Sequence, residues 1–208
     1  MRIVKEIQNT MKRQESEEKV MTAHEFYRAF QDSLSDEWFK SDYQNSSKWT
    51  RRIDNIVEEI ISNDGLSFEK EYYRIDYIGW KDRKSTIVEE ANQINMKPCL
   101  WDLRIAVEHE NDQADWTYEL VKLVHISCPL KVVIGYSPCD ERNAGGLEEQ
   151  RLEYAAKLMS KVEAFKNTSG DEYLVILGNA SPKSKSNPTY YSYDYRGYVF
   201  DKGKFYSI

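Results

Sequence analysis

Apolar and polar residues alternate along this chain with two different periods, and the switches between them mark the expected elements. Residues 21–34 place Phe26, Phe30 and Leu34 on one helical face. Trp49, Ile53, Ile56, Val57, Ile60 and Ile61 repeat at the same spacing, and Ser62-Asn63-Asp64-Gly65 ends that helix. Residues 41–47 are polar and read as a loop.

Period two takes over in residues 68–79, which read as one extended segment with Tyr72, Arg74, Asp76 and Ile78 on a common face. Residues 81–96 are ambiguous: Ser85 to Val88 suit a strand, and Ser85 equally suits the cap of a helix through Glu89, Glu90 and Ala91. The clearest strand is 103–110. Leu103, Ile105, Val107 and His109 take one side, and Arg104, Ala106, Glu108 and Glu110 the other.

Asp112 and Asp115 then suit the start of a helix that sends Thr117, Leu120, Val121 and Val124 to the core. The nearly unbroken apolar run 130–136 has the pattern of a central strand covered on both faces. Gly145-Gly146 leads into a long helix over 147–166 with Leu152, Ala155, Ala156, Met159 and Val162 as its stripe. A strand over 172–177 and a hairpin over 195–208, turning near Asp201-Lys202-Gly203, complete the order. The expectation is one α/β domain over 1–208: a mixed central sheet flanked by helices, without the regular wind of a dinucleotide-binding fold. Residues 1–20 are expected to be a mobile N-terminal segment.

Composition narrows the function classes. Length 208 suffices for a sizeable core, and 40% hydrophobic content with 15 tyrosines and 5 tryptophans excludes a disordered composition. No apolar run reaches membrane-spanning length, and residues 1–17 lack a secretory signal pattern, so a cytoplasmic protein without a membrane partner is expected. The three cysteines, Cys99, Cys128 and Cys139, lack the spacing of a disulfide framework or zinc site, and Cys99 and Cys128 read as small buried hydrophobes. A net charge of -6 restricts any nucleic-acid footprint to a local patch. Arg51-Arg52, the Lys81, Arg83 and Lys84 group, and Lys183 with Lys185 are the basic groups available. The tyrosines at 190, 191, 193, 195 and 198 suit alternation in a sheet, or a homodimer surface, better than base stacking.

The chemistry concentrates at Val107-Glu108-His109-Glu110-Asn111. Glu108 and Glu110 leave the same strand face about 7 Å apart, where the strand gives way to a helix. If Asp76 lies on a neighbouring strand, three carboxylates converge, and such an oxygen-rich cluster suits Mg²⁺ or Mn²⁺. His109 faces away from the pair and reads as a packed or hydrogen-bonded histidine. Asn111 suits a cap of the next helix or a hydrogen bond near the site. Arg74 and Arg104 share faces with these acids and are expected to pair with carboxylates. Phosphate-loop, nucleophile-elbow and zinc-protease motifs are absent from the sequence.

In this order of elements the residues resemble the PD-(D/E)xK, or restriction-endonuclease-like, nucleases, over about residues 49–136. The resemblance makes Asp76 the motif aspartate and Glu108 the second acid, puts Glu110 at the usual lysine position, and makes Glu59, with Glu58 second, the acid on the preceding helix. Ile75 stands where the family often has proline. Members with glutamate at the lysine position exist, and others carry the lysine on the following helix, where Lys122 lies. Lys81, Arg83 and Lys84 are alternative positive donors. The resemblance implies metal-dependent hydrolysis of a nucleic-acid phosphodiester, with Asp76, Glu108 and Glu110 as metal ligands, DNA as substrate and a homodimer as assembly. The alternative is an inactive accessory domain that acts through protein binding or oligomerisation. A hydrolase of small phosphorylated compounds ranks third.

Overall fold

The computed structural model describes residues 20–35, 37, 42–43, 45–138, 146–167, 170–179 and 194–208. Residues 1–19, Cys139, Gly145, Lys183, Lys185, Tyr190, Tyr191 and Tyr193 lie outside them, so the expectations for those positions concern residues that are not described.

Helix α1, Ala23–Asp32, starts with a capping box: the Glu25 amide donates to Thr22 Oγ1 at 3.2 Å, and the Thr22 amide to Glu25 Oε2 at 3.0 Å. It buries Ala23, Phe26, Tyr27 and Phe30. Helix α2, Ser46–Asn63, is capped by Asn45, whose Oδ1 accepts from the Lys48 amide at 3.0 Å. Its buried side, Trp49, Ile53, Ile56, Val57, Ile60 and Ile61, is the stripe read from the sequence.

The segment expected as one extended strand is two. Strand β1, Ser67–Tyr72, turns at Tyr73-Arg74 into β2, Ile75–Asp82, and pairs with it antiparallel, Tyr72 against Ile75. Tyr73 and Arg74 both have positive φ, 47° and 66°, as a two-residue type I′ hairpin requires. Asparagine and glycine usually occupy such a turn, so Tyr-Arg gives no sequence signal of a reversal. The ambiguous stretch after β2 is a 3-10 turn, Lys84–Ile87, running into a short helix α3, Val88–Gln93.

Strand β3, Trp101–His109, leads to helix α4, Trp116–Val124, strand β4, Leu130–Ser137, helix α5, Leu147–Lys161, a 3-10 turn, Glu163–Asn167, and strand β5, Glu172–Asn179. The hairpin β6, Tyr195–Asp201, and β7, Lys204–Ser207, closes the order and turns at Lys202-Gly203 as expected. The seven strands lie in sequence order: β1, β2 and β3 are antiparallel, β3, β4 and β5 parallel, and β5, β6 and β7 antiparallel. This is a mixed sheet flanked by helices.

Each face has its own core. On one, α1 and α2 cover Tyr77, Ile105, Val107, Leu130, Val132, Ile134, Leu174 and Ile176. On the other, α4 and α5 cover Ile78, Ala106, Val133, Val175 and Leu177. β4 is buried along its whole length, which accounts for its unbroken apolar run.

Three expectations are corrected. The buried side of α4 is Trp116, Leu120, Leu123 and Val124, while Thr117 and Val121 are half-buried. The helix meets β4 through Trp116, which packs so closely on Gly135 that a Cβ there would lie 2.8 Å from Trp116 Cβ. α5 ends at Lys161, five residues short of the expected limit. Cys99 is exposed, whereas Cys128 is buried.

Candidate functional site

The pairing of β2 with β3 sets the geometry. Tyr77 faces Val107 and Ile78 faces Ala106, and one further step along the ladder puts Asp76 across from Glu108. Directly opposed residues of an antiparallel pair project from the same side. Both acids therefore belong to the face covered by α4 and α5. Asp76 Oδ2 accepts the His109 backbone N–H at 2.8 Å, which fixes its carboxylate against the end of β3.

Glu108 is only 1% exposed. Opposite it, α4 supplies Lys122, whose Nζ lies 2.8 Å from Glu108 Oε1, contacts Glu119 Oε2, and donates to the Arg74 carbonyl at 2.9 Å. The Glu108 contact is a close approach rather than a well-aligned hydrogen bond, since neither carboxyl oxygen of this buried side chain has a hydrogen-bond partner of good geometry. Burial pushes the Glu108 carboxyl up to about 8; the nearby Lys122 ammonium opposes this, and the charge of Asp76 adds to it. Asp76 is also held above its ordinary range, first by burial, with the His109 amide and Lys122 acting the other way. Burial acts against the charge of Lys122, but its contacts with Glu108 and Glu119 prevail and raise its pKa.

The remaining predicted acids are placed elsewhere. Glu110 lies just past β3; its amide donates to Ile134 O at 2.9 Å and its Oε1 accepts from the Asp112 amide at 2.6 Å, so it closes the turn into α4. Glu58 and Glu59 are exposed on α2, a helix that packs on the opposite face of the sheet. β1 follows α2 directly, and its first residue pairs with Trp80, at the far end of β2 from Asp76. The first half of α2 lies beside the end of β3, where Asn111 Nδ2 donates to Thr50 Oγ1 at 3.0 Å. Asp54 of the same helix accepts from the Tyr77 hydroxyl and from Lys70 Nζ, the latter at 3.0 Å, and so belongs to the α2 side of the sheet, opposite Asp76 and Glu108.

Behind β3, His109 packs as expected. Its Nε2 lies 2.9 Å from the Tyr136 hydroxyl, which meets the Tyr195 hydroxyl at 3.3 Å, and Trp49 Nε1 donates to Tyr195 at 2.9 Å. Burial drives the imidazole down to about 4, so it is neutral at ordinary pH. This aromatic network backs the strand that carries Glu108.

Most basic groups noted in the sequence are engaged. Arg83 meets Asp102 at 2.9 Å, Lys84 meets Asp82 at 2.8 Å, Arg52 meets Asp42 at 3.0 Å, and Arg104 lies 3.7 Å from Asp102. Arg74 departs from the expectation of carboxylate pairing. Its side chain is exposed and forms no ion pair among the described residues.

Among the described residues, no group of three or more His, Cys, Asp or Glu is arranged to hold a metal. The acids brought to one side of the β2–β3 pair are Asp76 and Glu108, and both oxygens of Glu108 are buried and lack aligned hydrogen bonds. That set fits a hard cation that keeps part of its water shell, as Mg²⁺ does, better than one needing an all-protein cage. Among the described residues, no helix is long and apolar enough to cross a membrane. Comparison with protein-family models, curated proteins and solved structures finds no match to this chain.

Proposed function

We propose that the chain is a metal-dependent nuclease of the restriction-endonuclease-like kind, hydrolysing phosphodiester bonds of DNA at Asp76 and Glu108. The observation that carries this reading is the opposition of Asp76 and Glu108 on adjacent strands, with the Lys122 ammonium 2.8 Å from Glu108. The succession α2, β1, β2, α3, β3, α4, β4 supports it: apart from the short helix α3 between β2 and β3, it follows the helix, strands, helix and strand expected of that family.

Asp76 and Glu108 would hold Mg²⁺ or Mn²⁺, which when bound supplies a water of lowered pKa and a counter-charge for the phosphate. The chain's own residues prepare for this. The His109 amide orients the Asp76 carboxylate, and Glu108 must give up a proton before it can ligate. Lys122 stands where a positive charge stabilises negative charge developing on phosphate oxygens. Cleavage of both strands of a duplex calls for two such sites, which a homodimer would provide.

A second reading, an accessory domain without turnover, is favoured by one feature. Lys122 already contacts Glu108, Glu119 and the Arg74 carbonyl, leaving an ammonium with three partners before any substrate arrives.

Plasmid and oligonucleotide cleavage with Mg²⁺ or Mn²⁺ separates the two. The nuclease reading expects metal-dependent cleavage that falls at least about a thousandfold in Asp76→Ala and in Glu108→Gln, the scale lost with one electrostatic element of a site. Cleavage that survives both substitutions removes these acids from the mechanism. Wild-type protein that neither cuts nor binds Mn²⁺ by calorimetry leaves the accessory reading.

A further inference from the structure

The hairpin tip between β1 and β2 carries a costly backbone and two exposed side chains that the turn itself does not call for. Three residues without a glycine's freedom, Glu71, Tyr73 and Arg74, hold positive φ values of 57°, 47° and 66°. Such backbone is strained, and it persists only where its surroundings impose it. The strain presents Tyr73 to solvent at 83% exposure and leaves Arg74 exposed without an ion pair among the described residues.

The tip is nevertheless not loose. The Tyr73 ring meets Tyr72 edge-on at 4.6 Å, and Tyr72 in turn meets Trp101 at 5.6 Å. The Arg74 carbonyl accepts from Lys122 Nζ at 2.9 Å, and that ammonium is 2.8 Å from Glu108. Asp76 follows two residues later in the chain. An exposed arginine without an ion pair among the described residues and an exposed aromatic ring thus stand on the turn whose Arg74 carbonyl meets the Lys122–Glu108 contact. On a chain of net charge -6, an unengaged guanidinium is a point at which a polyanion can be held. Other basic groups, Arg52, Arg83 and Lys84, are engaged with aspartates.

We infer that the Tyr73-Arg74 tip grips duplex DNA beside the acid pair, Arg74 binding a backbone phosphate and Tyr73 packing its ring on the neighbouring sugar. The inference rests on the nuclease reading for its choice of ligand, but it concerns binding alone. A guanidinium meets phosphate oxygens in a fork of N–H donors, and an aromatic ring adds contact area at little conformational cost.

The test is fluorescence anisotropy with a labelled DNA duplex in EDTA over a series of salt concentrations, so that no turnover contributes. Arg74→Ala is expected to raise Kd several-fold and to lower the slope of log Kd against log salt by about one, the signature of one lost phosphate contact. Arg74→Lys keeps the charge and is expected to keep the slope. Tyr73→Ala is expected to raise Kd with the slope unchanged. Unchanged Kd and slope in Arg74→Ala, or a wild-type protein that binds no duplex, overturns the inference. Cleavage lost in Asp76→Ala while Arg74→Ala binds normally would keep the nuclease reading and discard this one. Binding that depends on Arg74 without any cleavage would do the reverse.

Discussion

Lys122 Nζ lies 2.8 Å from Oε1 of the almost fully buried Glu108, and this contact joins the middle of the sheet to the helix that follows it. Removing one partner of such a pair strands the other. Lys122→Met is expected to cost about 1–3 kcal/mol, below the full figure for a buried pair because the lysine keeps some solvent contact. In a double-mutant cycle with Glu108→Gln the second substitution should recover part of that loss. Urea unfolding of the four proteins measures it, and strictly additive effects would show that the two side chains do not interact.

Stability should fall as the pH rises from about 6.5 to about 8. Glu108 has a folded pKa raised to about 8, so the native state holds a proton that the unfolded chain has already released. Stability then declines with rising pH between the unfolded and folded values. His109, lowered to about 4, has the opposite sign: its buried neutral form favours folding, and that advantage is lost as pH falls from about 6.5 through 4. Between about 4.5 and 6.5 the two slopes oppose each other, and above 6.5 the His109 contribution is complete while that of Glu108 continues to decline. Thermal melts of wild type and Glu108→Gln across pH 5–9 test this, and a decline that persists in the glutamine variant would place its origin elsewhere.

Metal binding should follow the same proton. In the proposed site ligation would require the Glu108 carboxylate, so Mn²⁺ affinity is expected to strengthen as pH rises towards 8 and the ion to displace a proton. Calorimetry in buffers of different ionisation enthalpy counts that proton. Pairing Asp76→Asn with wild type shows whether the second acid takes part.

Replacing Tyr73-Arg74 by Asn-Gly should stabilise the protein and, if the proposed tip contact holds, weaken its affinity for a DNA duplex. Asparagine and glycine accept positive φ readily, and relief of the strained turn is expected to add about 1 kcal/mol to unfolding stability. A turn variant both less stable and equal in DNA affinity would contradict the strain argument and the binding role together.

Gly135→Ala should destabilise by about 1–3 kcal/mol, because the added methyl meets Trp116 Cβ at 2.8 Å where α4 lies on β4. A shift of the urea midpoint with an unchanged slope is the expected form of the result.

Much of the fold was legible because its signals are local. The α2 stripe from Trp49 to Ile61, the alternation in β3 that separates Glu108 from His109, and the apolar run of β4 all follow from which face each residue buries. The Lys202-Gly203 reversal was legible for the same reason, since glycine marks it. The reversal at Tyr73-Arg74 carries no such mark, so β1 and β2 merged into one predicted strand.

The chain by itself determined which side chains share a face in α2, β3 and β4, since that depends only on backbone period. The strand period singled out Glu108, and Lys122 was singled out by the resemblance of the element order. Tertiary structure alone decided their relations. The antiparallel pairing of β2 with β3 set Asp76 against Glu108, and α4 brought Lys122 to that buried acid. The docking of α2 on the other face of the sheet left Glu58 and Glu59 away from them. Pairing register and helix docking are contacts between residues distant in sequence, fixed by burial across the whole sheet, and a local period carries no record of them.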